Sequence, residues 1–148
     1  MRAQDDRSDL SRRRVLGAGL NVGLAAAASA LPLVSEDKLE YTIPLRAGLR
    51  FPDGSEFTAD DVKFSLDRIN AEGSLNAQKA LYTSIASVDV VDPATVKITL
   101  KQPDGNLIYN LAWGDAVIVA PESADANKTN PIGTGPFSFA SRVEGDSI

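Results

Sequence analysis

Twenty-five residues, Leu45 to Ile69 (LRAGLRFPDGSEFTADDVKFSLDRI), restrict this chain more than any others. Pro52-Asp53-Gly54 is a turn with a mechanism: proline presets φ, and glycine accepts the positive φ that a tight reversal needs. Thr58 follows, placed to cap a helix, with Asp61 three residues on at the reciprocal position of a capping box. Asp60 and Asp61 suit the positive end of that helix, and Arg68 suits the other. Ala59, Val62, Leu66 and Ile69 repeat at helical spacing, so the helix has one apolar face and needs a sheet to cover it. Phe64 lies off that face and needs a second contact or partial exposure. Glu72-Gly73 marks its end.

The flanks supply the sheet. Leu39, Tyr41, Ile43 and Leu45 alternate with polar residues, which predicts a strand with one buried face. Pro44 lacks an N–H, so that strand is at an edge or ends there. Leu49 to Phe51 resumes a short extended piece. Beyond the helix, Leu75 to Ser84 reads as a weak second helix. Ala86 to Val91, with Val88 and Val90 inward, and Thr95 to Leu100, with Val96, Ile98 and Leu100 inward, form a hairpin about Asp92-Pro93-Ala94. Asn106 to Ala112 suits a short helix, and Ala116 to Val119 a short apolar strand. Pro131 to Pro136 is a rigid, glycine-rich connector into a last strand, Phe137 to Ala140. No internal repeat is present.

The N-terminus reads as an address. From Val15 to Val34 the chain is small, apolar and Ala-rich, interrupted by Asn21, Ser29 and Pro32. Ser11, Arg12, Arg13 and Leu16 match a twin-arginine export signal, with Val15 and Gly17 departing from it. Ala28-Ser29-Ala30 offers small residues for signal peptidase, which predicts cleavage after Ala30. The domain plan is therefore a twin-arginine-type signal peptide over 1–30 and a folded unit over 31–148. The alternative, a membrane anchor or buried helix, is poorly served by a Gly/Ala run broken by Asn21.

Composition removes several classes of function. The 148-residue chain has no Cys and no His. That excludes thiolate or imidazole zinc sites, cysteine nucleophiles and Ser-His triads. Residues 1–30 hold five Arg and three Asp; taking these from totals of 15 basic and 20 acidic residues leaves ten against 17, or −7. An acidic body argues against a nucleic-acid partner. Asp53, Glu56, Asp60 and Asp61 miss the alternating spacing of a calcium loop. Asp60 and Asp61, as helix neighbours, point about 100° apart and cannot work as a carboxylate pair. Gly133-Thr134-Gly135 fits neither nucleotide fingerprint.

Three ordered blocks carry a family likeness. The first is Leu45, Arg46, Gly48, Phe51, Asp53 and Gly54, followed by Thr58, Ala59, Asp61 and Val62. The second is Val91, Asp92, Thr95, Val96 and Leu100. The third is Pro131, Gly133, Thr134, Gly135, Pro136 and Phe137. From Tyr41 to Phe139 the chain resembles the family 5 extracellular solute-binding proteins of ABC importers, which serve peptides, oligopeptides and nickel chelates.

That resemblance implies an α/β fold: a partial lobe of a type II, peptide-binding-protein-like receptor, with an incomplete mixed sheet and short helices. It implies no catalysis and no cofactor. The implied partners are a peptide or other small solute, the ABC permease subunits, and the Tat translocase during export to the periplasm. Asn76, Tyr82 and Trp113 fall where the family's chain passes the ligand; stacking and amide hydrogen bonds suit a peptide-like solute. Tyr82 and Trp113 have a plainer alternative as packing residues. The family also has a longer segment before Tyr41 and several hundred residues after the Gly-Thr-Gly connector. The resemblance therefore implies a truncated receptor with weak or absent binding of its own. A non-functional gene remnant and a small hydrolase are the competing readings.

Overall fold

Thr58, Asp61 and the apolar face behind them form the capped helix that their spacing requires. The computed structural model describes residues 27–113, 116–127, 129–130, 132–134 and 140. Arg12 and Arg13, and the strand expected over 137–140 except for its last residue, lie outside the described residues, as do Pro131, Gly135 and Pro136 of the connector.

Helix α1 runs Ala59–Asn70, with Thr58 as its N-cap. The Asp61 carboxylate accepts the Thr58 backbone N–H at 2.7 Å and the Thr58 hydroxyl at 3.2 Å. Ala59, Val62, Leu66 and Ile69 are buried, as their periodicity demands, and Phe64 is half-buried. Ser65 lies on the same buried face. The helix stops before Glu72-Gly73: the C-cap is Ala71. The Ala71 carbonyl, left without a helical partner, accepts the Lys79 ammonium at 2.5 Å and the Ser74 N–H at 3.1 Å.

Four strands form one open sheet in the order β1-β2-β4-β3: β1 Leu33–Val34, β2 Glu40–Pro44, β3 Ile85–Asp92 and β4 Thr95–Leu100. Every pairing among them is antiparallel, so the mixed character expected of the full lobe is not displayed by the described strands. β2 lies inside the sheet and ends at Pro44, where its missing N–H is tolerated. Tyr41, Ile43 and Leu45 face the core. The hairpin of β3 and β4 forms as expected, with two irregularities. β3 carries an extra residue at Ala86 and another at Val91 relative to β4. The bulge at Ala86 shifts the alternation so that Ile85 and Val88, three apart, are both buried, while Val91 is turned outward.

α1 packs on β3 and β4. With Val88, Val96, Ile98, Leu107, Leu111 and Ile118 it closes one contiguous core. Helix α2, Leu107–Leu111, sits within the stretch read as helical. Leu75 to Ser84 yields only a 3₁₀ turn, Lys79–Tyr82. Within Ala116 to Val119, Val117 makes a β-bridge, and the buried residues Ala116 and Ile118 belong to the core. There the Ser65 hydroxyl accepts the Val119 N–H at 2.9 Å and donates to the Val119 carbonyl at 3.3 Å. Arg68 donates to the Ala124 carbonyl at 3.3 Å. These side-chain hydrogen bonds tie the segment to α1.

Residues ahead of the expected cleavage point are part of this sheet. Ala28 bridges Leu45 in antiparallel fashion, and Ala27 is fully buried. The boundary drawn at residue 30 therefore falls between two paired segments, Ala27–Ser29 and Leu33–Val34.

Candidate ligand-facing site

Asn76 opens the 3₁₀ turn. Its side-chain oxygen accepts the Gln78 N–H at 2.8 Å, and its carbonyl accepts the Lys79 N–H at 3.2 Å. This is the local use that suits Asn at a turn. The side chain is half-buried.

Tyr82 closes the same turn and is 0% exposed. Its hydroxyl donates to the Asn110 carbonyl at 3.0 Å, and the Asn110 amide donates back to the Leu81 carbonyl at 3.3 Å. The apolar ring fills the core while its polar tip is hydrogen-bonded, the usual state of a buried tyrosine. Buried in this way, it fixes α2 against the turn.

Trp113 is different. It is 41% exposed, follows α2 directly, and packs against Tyr109 with ring centroids 5.4 Å apart at 57°. Tyr109 is 64% exposed. The Trp113 backbone N–H donates to the same Asn110 carbonyl at 3.1 Å that the Tyr82 hydroxyl holds from inside. One carbonyl thus receives both the Tyr82 hydroxyl and the backbone of the residue that carries the exposed indole. The spacing Tyr109 to Trp113 is one helical turn, the signal by which the pair could have been found in the sequence. Tyr109 and Asn110 were both missed there.

An open groove of about 550 Å³ is bordered by Thr83, Ser84, Lys101, Asp104, Asn106 and Asn110. Its polar groups engage one another. Lys101 donates to the Thr83 carbonyl at 2.8 Å; Asp104 accepts the Ser84 hydroxyl at 2.8 Å and the Asn106 N–H at 2.9 Å. A solute here would exchange partners with these groups rather than meet unsatisfied ones, which favours orientation over strong attraction.

The acidic residues are structural. Asp53 accepts the Ser55 hydroxyl at 2.7 Å and the Ser55 N–H at 2.9 Å, and these bonds hold its carboxyl below the ordinary carboxylate range. Burial pushes Asp61 above that range, opposed by the hydrogen bonds from Thr58 and reinforced by Glu122 and Asp60. Among the described residues no group of three or more carboxylates stands close enough to hold a metal ion. No helix among them is long and apolar enough to cross a membrane.

This α/β arrangement has known counterparts. The family model for bacterial extracellular solute-binding proteins, family 5 Middle, matches residues 23–148. The chain belongs to that family. It is 40% identical over 119 residues to the glutathione-binding protein GsiB of Salmonella typhimurium, covering 78% of this chain and 23% of that protein. It superposes with a TM-score of 0.74 on NikZ from Campylobacter jejuni in complex with Ni(L-His), at 30% identity, covering 80% of this chain and 25% of that one. AgaA from A. tumefacien R10, in complex with agropinic acid, gives a TM-score of 0.73 at 35% identity, covering 86% of this chain and 28% of that one. The chain thus spans about a quarter of the length of these family 5 proteins. They are solute-binding proteins rather than enzymes, and the partial type II lobe expected from the sequence is the fold they share with this chain.

Proposed function

We propose that this chain acts as part of a receptor that captures a peptide or related small solute for an ABC importer. Its family match over 23–148 carries the reading. The relatives' named ligands, glutathione, a nickel–histidine complex and an opine, are all small, polar and rich in carboxylates or amides. Trp113, with Tyr109 beside it, supplies the stacking surface; Asn76, at the turn that Tyr82 closes, supplies an amide; Tyr82 holds the Asn110 carbonyl of α2. Arg12 and Arg13 address the precursor to the Tat translocase, and the folded body works in the periplasm beside the permease subunits.

Capture needs a second body to close over the solute. The described residues form one sheet and its helices, so the 148-residue chain by itself binds weakly. Calorimetry with glutathione and a tetrapeptide should show no saturation below about millimolar concentration, a limit of about −4 kcal/mol. The positive test is a graft. Residues 27–148 replace the matching segment of the Salmonella glutathione-binding protein, and the chimera is titrated with the same solutes. Saturable binding by the folded chimera supports the assignment; a folded chimera that binds none of them refutes it.

A further inference from the structure

Ala27, Ala28 and Ser29 have two incompatible uses. As the end of an export signal, Ala28-Ser29-Ala30 must lie extended in the cleft of a peptidase. In the folded chain the same backbone is engaged with the continuation of β2. The Arg46 N–H donates to the Ala27 carbonyl at 2.7 Å, and the Ser29 N–H donates to the Pro44 carbonyl at 2.8 Å. The Ser29 hydroxyl reaches the same carbonyl at 3.3 Å. Ala28 sits opposite Leu45, which is only 5% exposed, and Ala27 belongs to the core. Further on, Leu33 and Val34 pair with Thr42 and Tyr41, and the Ser35 N–H donates to the Glu40 carbonyl at 3.0 Å.

The register tells how the two pieces join. Ala28 opposite Leu45 and Leu33 opposite Thr42 leave two more residues on the outer strand than on β2. The chain accommodates them by bulging outward, with Ala30 exposed and Leu31 87% exposed. The Ala30–Leu31 bond is therefore at the surface, but both its flanks are stitched to β2. The family match also begins at residue 23, upstream of that bond.

We infer that Ala27–Ser29 is a structural arm of the lobe, and that the folded chain resists cleavage after Ala30. Removing the arm would uncover Leu45 and leave the Arg46 N–H and the Pro44 carbonyl without their partners. Any processing of the folded protein then lies upstream of Ala27.

Hydrogen exchange on the intact chain tests this directly. The Arg46 and Ser29 amides should be protected by about a hundredfold or more over unstructured amides, and Leu100, whose N–H donates to Leu39, serves as the internal reference. Ser29→Pro deletes the donor to Pro44; Arg46 should then exchange about tenfold faster while Leu100 is unchanged. Elastase, which cuts after alanine, should release residues 1–30 slowly from folded chain and rapidly in urea. Arg46 exchanging as an unstructured amide while Leu100 is protected would overturn the inference, as would exported protein whose intact mass begins at Leu31. Loss of protection at Leu100 as well, in the unmodified chain, would remove the sheet and the inference with it. The unmodified chain decides the question even if Ser29→Pro does not fold.

Discussion

Ser65→Ala isolates the interaction that holds the last apolar segment to α1. Ser65 is 2% exposed and Val119 is 8% exposed, so neither end of the contact has ready access to water. The Ser65 oxygen accepts the Val119 N–H at 2.9 Å and donates to the Val119 carbonyl at 3.3 Å. Alanine removes one atom and leaves almost no cavity, so the cost is that of the polar groups. An orphaned buried N–H costs about 1–3 kcal/mol, and a lost ordinary hydrogen bond about 0.5–1.5 kcal/mol. The longer contact is weaker, and alanine gains about half a kcal/mol of helix propensity over serine. The net loss should be about 2 kcal/mol. In a chain of this size that lowers Tm by about 8 °C. Urea unfolding should show a lower midpoint at unchanged slope, since the compactness of the two end states is unaltered. Arg68→Ala is the control: its bond to the Ala124 carbonyl is at an exposed side chain, and its loss should cost under about 0.5 kcal/mol. A Ser65→Ala change no larger than that of the control would refute the idea that Ser65 anchors Val119 to α1.

Other perturbations read other parts of the fold. Tyr82→Phe should cost about 1 kcal/mol, seen as a lower urea midpoint, because the Asn110 carbonyl keeps the Trp113 N–H as a second donor; a loss above about 3 kcal/mol would mean the hydroxyl does more than hold α2. Gly54→Ala meets no atom within 4 Å, yet φ there is +89°, so a cost of about 1–2 kcal/mol measured by thermal unfolding is conformational alone. Burial raises the Asp61 pKa above 3.8 in the folded state, so its contribution to stability is fully present below the unfolded value and is lost as pH rises through the folded one. The stability of the parent relative to Asp61→Asn should accordingly fall as pH rises from the unfolded value of 3.8 through the raised folded one; a gap that widens in the parent's favour as pH rises would show that the Thr58 hydrogen bonds outweigh burial.

Local chemistry made much of this protein legible. The helix from Ala59, its cap, the turn at Pro52-Asp53-Gly54 and the inward residues of β2 and β4 all follow from spacing of two or about 3.6 and from single-residue backbone preferences. These signals are carried within a few residues, so the amino-acid order alone determines them. Three ordered blocks of family lettering likewise located the chain among solute-binding proteins. What the sequence could not decide is where each element finds its partner across the chain. Ala27–Ser29 reads as leader because it is small and apolar, and those same properties let it lie flat against Leu45. Ala116–Val119 reads as strand because it is apolar, and only the fold shows that the Val119 backbone meets Ser65, 54 residues away. Tyr82 and Trp113 look alike as candidate ligand contacts, and only the fold buries one and leaves the other exposed. Backbone pairing and burial are settled by whichever distant surface is left uncovered, a property of the assembled core that no local stretch contains.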